Sequence, residues 1–144
     1  MFFPRLQREI RCGIAICMDI NWKDFEPSLS ETRKLADFQV ANRTQMLIWL
    51  TAWCNPEPHY QCQDESRDTC ETNNYWVDRL FPIALSKHQN PEPFYYVACN
   101  RIGTEKTILF LGSSVVVKLR PQLSYVGQPA SLKSQEVVRA TLNF

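Results

Sequence analysis

The spacing of three short apolar runs limits this chain most. Residues 10–16, 46–52 and 94–99 are each rich in aliphatic, β-branched or aromatic side chains. Each is too short for a free-standing helix, and none approaches the ~20 residues of a membrane helix. All three read as buried strands. Between the first two, residues 31–45 place Leu35, Phe38 and Ala41 on one helical face, with Ser30 as cap and Arg33 and Lys34 in solvent. Between the second and third, residues 75–81 place Trp76, Val77, Leu80 and Phe81 together, with Asn73 or Asn74 as cap and Pro82 kinking or ending the helix. Residues 21–30, 53–74 and 86–93 are polar connections, the longest of them a surface excursion. Residues 100–106 form a turn around Gly103. Residues 108–119 give one strand or two, interrupted at Gly112-Ser113-Ser114. Residues 121–134 form a loop and 137–142 a last strand. The order β-α-β-α-β-β-β predicts an α/β layer architecture with a mixed sheet and flanking helices.

At 144 residues the chain is one domain or part of one. Sixteen basic and 15 acidic residues give a net charge of +1, which argues against nucleic-acid or anionic-membrane partners. The opening Met1-Phe2-Phe3-Pro4-Arg5 has no basic region ahead of a long apolar stretch, so it is not expected to act as a secretory signal. The expected location is cytoplasmic, with the 6 cysteines reduced. Cys54, His59, Cys62 and Cys70 fall at a spacing that no common zinc site uses, and they read as incidental to a polar loop. No metal and no cofactor is expected.

Two clusters carry chemistry. The first is Gly13-Ile14-Ala15-Ile16-Cys17-Met18-Asp19, an apolar strand running straight into a cysteine and a turn. A thiol on such a bend is held rigidly at the sheet's carboxyl edge, and the Met18 N–H points where an oxyanion would form. Alone, a cysteine after a strand is more often a small buried hydrophobe. The second is Asn100-Arg101-Ile102-Gly103-Thr104-Glu105, which sets polar groups at the same edge. Alone, it is a β-turn with an Arg–Glu surface pair worth under ~1 kcal/mol.

Together the clusters resemble the nitrilase, or carbon–nitrogen hydrolase, superfamily: the first its nucleophile motif, the second with Gly112-Ser113-Ser114 its downstream signature. The chain resembles in particular the fungal protein N-terminal amidase branch, through Ile16-Cys17-Met18-Asp19-Ile20-Asn21 with Phe25-Glu26, Ala52-Trp53, Tyr75-Trp76 with Arg79-Leu80 and Pro82, and the Asn100–Glu105 stretch. The likeness covers roughly residues 8–120, apart from 56–72. It implies the second half of a four-layer α-β-β-α sandwich and hydrolysis of an amide C–N bond with release of ammonia. The family's chemistry uses a Cys nucleophile, a Glu general base and a Lys that stabilises the oxyanion. Cys17 carries over as nucleophile and the Met18 N–H as oxyanion donor.

The base and the lysine have no counterpart. In the family both precede the cysteine; here Glu9 is the only acid upstream of Cys17, and no lysine precedes it. Lys23, Glu26 and Glu105 do not match those positions. The chain alone is therefore expected to be inactive or nearly so, since each missing effect supplies ~10²-fold or more.

The amidase resemblance implies peptides or proteins beginning with Asn or Gln as substrates. The free α-ammonium calls for a carboxylate. Asp19 and Glu105 are the candidates, their alternatives being a helix cap and an ion pair. Trp53, Asn100 and Arg101 are expected to shape the pocket rim. Other small-amide or nitrile hydrolysis, and a non-catalytic interaction role, are the competing readings. A half-sandwich would also expose a sheet face, so self-association is expected.

Overall fold

The computed structural model describes residues 9–21, 33–86 and 92–144. The three apolar runs form three neighbouring parallel strands: β1 (Cys12–Ile16), β2 (Met46–Thr51) and β3 (Phe94–Asn100). β4 (Ile102–Glu105) and β5 (Ile108–Leu111) make a separate two-stranded hairpin. β6 (Val115–Arg120) returns antiparallel to β3, and β7 (Ser124–Tyr125) pairs with β6. The main sheet is thus mixed, in the order β1-β2-β3-β6-β7.

Strand alternation sorts the side chains onto two faces. Ala15, Leu47, Trp49, Tyr96, Ala98, Val115, Val117 and Leu119 form the core with Ala36 of α1 (Lys34–Ala41) and Trp76, Leu80 and Ile83 of α2 (Glu65–Leu85). Gly13 lies on this covered face, where a Cβ would stand 2.2 Å from Gln39 Oε1. The other face carries rows of apolar residues in register, Ile14–Ile48–Val97–Val116 and Ile16–Leu50–Cys99. It is largely uncovered: Ile14 is 70% and Ile16 62% exposed. One α layer over one β layer is what the described residues build, which is half of the expected sandwich.

Several local expectations need correction. Helix α1 stops at Ala41 rather than Gln45, and Phe38 points outward at 62% exposure, because Ala36 and Gln39 form the buried stripe. The excursion after Trp53 is shorter than its polarity suggests, since α2 starts at Glu65 rather than Tyr75. Asp64 is its cap, accepting the Arg67 N–H at 3.0 Å, and an Arg67–Glu71 pair one turn apart supports a polar first half. Asn73 and Asn74 are therefore interior positions. Pro82 sits inside the last turn, where few helical bonds remain to lose, and the helix continues to Leu85; Phe81 lies off the buried face. Residues 102–105 are strand rather than turn, the reversal being made at Lys106, whose φ is 54°.

The expected strand at 137–142 does not form. A strand needs a ladder partner. This segment instead brings Asn143 and Phe144 back to Tyr95: the Tyr95 hydroxyl donates to the Asn143 carbonyl at 2.9 Å and the rings meet edge-on at 5.1 Å. The expected loop over 21–30 and its Ser30 cap lie outside the described residues from Trp22 onward, as do the first residues of the 31–45 helix and most of the 86–93 connection. Among the described residues no helix is long and apolar enough to cross a membrane.

Candidate active site

Strand β1 ends at Ile16 and the chain turns at once into a single 3-10 turn, Cys17–Ile20. Cys17 occupies the left-handed region at φ 43°. For a residue with a Cβ this costs about 1–3 kcal/mol and persists only where neighbours over-determine it. Two contacts hold the bend. Asp19 Oδ2 accepts the Ile16 N–H at 2.8 Å from below the turn. The buried Trp49 indole N–H donates to the Cys17 carbonyl at 3.0 Å from β2. The turn closes with the Asn21 N–H on the Met18 carbonyl at 2.8 Å. Met18 N–H, in the first turn, has no acceptor within its own helix. The thiol is partly exposed and free.

A second wall stands two strands away. Register puts Ile16, Leu50 and Cys99 level, so Cys17 and Asn100 leave the same carboxyl edge about 10 Å apart. The Asn100 carboxamide accepts the Trp53 N–H at 2.7 Å and donates to the Trp53 and Gly112 carbonyls at 3.2 and 2.8 Å. Its own N–H donates to Ser114 Oγ at 2.9 Å. Asn100 therefore ties the ends of β2 and β3 to the β5–β6 connection. Gly112 permits that closure: at φ 45°, a Cβ would come within 2.8 Å of the Leu132 backbone. Arg101 pairs with Glu105 at 2.8 Å and lies over the Phe110 ring at 4.2 Å, in an exposed position along the hairpin.

The elbow is also clamped from the helix side. Tyr75 donates to Asn21 Oδ1 at 2.9 Å, and Arg79 donates to the Tyr75 hydroxyl at 2.9 Å. Trp49, Trp53, Trp76 and Tyr75 pack ring to ring beneath it, with centroids 5.0–6.4 Å apart. Sequence reasoning missed Trp49 as a partner of Cys17. Its signal was a polar-edged aromatic in the middle of an otherwise aliphatic buried strand, which needs somewhere to place its N–H.

The Cys54, His59, Cys62 and Cys70 side chains do not gather. Among the described residues no three His, Cys, Asp or Glu groups stand where they would hold a metal ion. Cys62 is pushed up to about 11 by burial and by its hydrogen bond with Asp68, so it is a neutral thiol near pH 7. Lys23 and Glu26 lie outside the described residues. A cavity of about 600 Å³ sits away from the elbow, between Glu65, Thr69 and Asn73 of α2 and the segment 127–131. None of the residues of the Cys17–Asn21 turn lines it.

Solved structures share this fold. A carbon–nitrogen hydrolase from Helicobacter pylori G27 superposes with a TM-score of 0.54 at 20% identity, over 86% of this chain and 37% of that one. The fold is that of a carbon–nitrogen hydrolase. An N-terminal amidase superposes with the same TM-score of 0.54 at 16% identity, over 83% of this chain and 58% of that one. This carbon–nitrogen hydrolase fold is therefore present in part: the chain spans 37% of the first neighbour's length and 58% of the second's. Comparison with protein-family models and with curated proteins gave no match.

Proposed function

We propose that this chain carries the nucleophile of an amide hydrolase acting on N-terminal Asn or Gln of peptides and proteins. The observation that supports this most is the strained Cys17 bend, with a free thiol at the sheet edge and the Met18 N–H beside it. In the reaction, Cys17 sulfur adds to the side-chain amide carbonyl and the Met18 N–H meets the developing oxyanion. The tetrahedral adduct collapses with cleavage of the C–N bond, and ammonia leaves with the thiol proton. Water then adds to the thioester, the C–S bond breaks, and the acid departs as the thiol is restored.

The α-ammonium of the substrate meets a carboxylate. Asp19 Oδ2 already holds the Ile16 N–H, and Glu105 Oε2 already pairs with Arg101. Each leaves one oxygen for a cation, and Glu105 stands further out on the hairpin. Trp53, Asn100 and Arg101 shape the rim. The chain as given lacks a lysine or a well-placed glutamate upstream of Cys17, so turnover by this polypeptide alone is expected to fall about four orders of magnitude below an ordinary enzyme.

The test compares Asn- and Gln-initiated peptides with free and acetylated N-termini, following ammonia and a thioester on Cys17. Slow, Cys17-dependent reaction of the free peptides alone supports the reading. Equal reaction of acetylated peptides would move the substrate class to small amides or nitriles. Turnover that survives Cys17→Ala would remove Cys17 from the chemistry altogether.

A further inference from the structure

We infer that Trp49 is a positioning residue for the oxyanion donor: by holding the Cys17 carbonyl, its indole fixes the direction of the Met18 N–H. This rests on the hydrolase reading of Cys17. The Cys17 carbonyl and the Met18 N–H are the two ends of one peptide unit. That unit is trans, because the one cis bond among the described residues is Arg120–Pro121. In a trans planar peptide the C=O and N–H vectors are antiparallel, so fixing one fixes the other. Trp49 Nε1 binds the Cys17 oxygen at 3.0 Å from the helix-covered side of the sheet. The Met18 N–H must then point the opposite way, out of the core and toward the open side of the elbow.

The indole is itself immobile. Trp49 has no exposed surface, lies opposite Ala15 in the β1–β2 register and packs edge-to-face on Trp76 at 5.0 Å. Such an anchor answers a specific need. The peptide joining Cys17 to Met18 can rotate by compensating changes in ψ of Cys17 and φ of Met18, and that rotation would swing the Met18 N–H away from the reacting carbonyl. With the indole bond in place, rotation breaks a buried hydrogen bond and leaves the indole donor unpaired. A side chain of the same shape without the ring N–H would not resist the rotation.

The test separates two reactions of the same thiol in the full chain. Acylation of Cys17 by p-nitrophenyl acetate passes through an oxyanion: a C–S bond forms and p-nitrophenolate leaves. Alkylation by iodoacetamide displaces iodide and forms no oxyanion. Trp49→Phe removes the N–H. Benzothienylalanine at position 49 removes it while keeping the indole's shape, and serves if the Phe variant fails to fold. Peptide mapping reads each cysteine separately, with exposed Cys12 and Cys99 as internal references. The expected result is an acylation-to-alkylation ratio at Cys17 above that of the references, falling about tenfold in both variants while alkylation stays within about twofold. A raised ratio that ignores the loss of the N–H, or acylation and alkylation falling together, overturns the positioning role alone. A wild-type ratio no higher than at Cys12 and Cys99 overturns the hydrolase reading and this inference with it.

Discussion

The Asn100 side chain forms a closed pair with the backbone of Trp53, accepting its N–H at 2.7 Å and donating to its carbonyl at 3.2 Å. The same amide also reaches the Gly112 carbonyl at 2.8 Å, so one buried group supplies partners for the Trp53 N–H and the Gly112 carbonyl and a second donor for the Trp53 carbonyl, which also accepts the Leu111 N–H at 2.9 Å. Asn100→Leu, which leaves the Trp53 N–H and the Gly112 carbonyl unpaired, should destabilise the chain by about 2–4 kcal/mol in urea unfolding. Asn100→Asp should cost at least as much near pH 7, since it replaces two donated bonds with a buried charge facing carbonyl oxygens. A change below about 0.5 kcal/mol for either would show that this corner is not held by Asn100.

The strain at Cys17 predicts an inverted mutational order. Cys17→Gly should be more stable than Cys17→Ala by about 1 kcal/mol, because alanine keeps the Cβ that disfavours φ 43° and glycine does not. Thermal unfolding of the two variants gives the comparison. Equal midpoints would mean that the bend carries no strain.

Close approach of α1 to β1 leaves no room for a methyl at Gly13 unless the Gln39 side chain shifts. Gly13→Ala should destabilise by about 1–3 kcal/mol, since the Gln39 carboxamide occupies the space of the new methyl while accepting the Thr44 hydroxyl at 2.8 Å. Shortening the obstacle with Gln39→Ala should recover part of that loss in the double variant. Strict additivity of the two substitutions would separate the sites energetically.

Glu65, at the start of α2, accepts the Ser131 hydroxyl and the Leu132 N–H at 2.8 Å. The Ser131 bond is the main reason its carboxyl titrates below the ordinary carboxylate range, with the backbone N–H groups of Leu132 and Lys133 acting in the same direction. A depressed folded pKa means stability that is fully present above the unfolded value of about 4.3 and is lost as pH falls through the folded one. Stability should therefore decline with acidification below about pH 4.5, more steeply than in Glu65→Gln, whose side chain does not titrate. Parallel pH profiles for the two proteins would contradict the assignment.

The uncovered apolar rows on the second sheet face predict that two copies of the chain associate through it. Their centre, Ile14 and Ile48 beside Val97, is uncharged, and β1 is an edge strand of the sheet that the described residues form. Ile14→Lys should raise the monomer fraction in size-exclusion chromatography without lowering the unfolding midpoint, because the residue is exposed in the single chain. A monomeric wild type would exclude the pairing.

Most of the sheet was readable from the sequence because buried strands advertise themselves as short, nearly continuous apolar runs, as residues 46–51 and 94–100 do. The Cys17 bend was readable for a related reason: a polar turn follows the strand with no spacer. The first half of α2 was hidden because its stability comes from the Asp64 cap, the Arg67–Glu71 pair and Glu65's hold on Ser131, none of which writes an apolar stripe. Residues 137–142 misled in the opposite direction, since Val137 and Val138 have the composition of a strand but no ladder within reach. Arg101 and Glu105 do pair, as the bland reading of that stretch held, though across a strand rather than a turn. The contact between Trp49 and Cys17 joins positions 32 apart in sequence, and no local pattern encodes it.

The ring stack beneath the elbow has an optical corollary. Trp49, Trp53 and Trp76 stand 5.0–6.4 Å from one another at angles of 60–86°, close and skewed enough for their electronic transitions to mix. The chain should show an intense near-ultraviolet dichroism band that belongs to the folded stack and not to the isolated chromophores. Because one member of that trio grips the nucleophile's peptide, the band makes events at the sulfur visible spectroscopically without any attached dye.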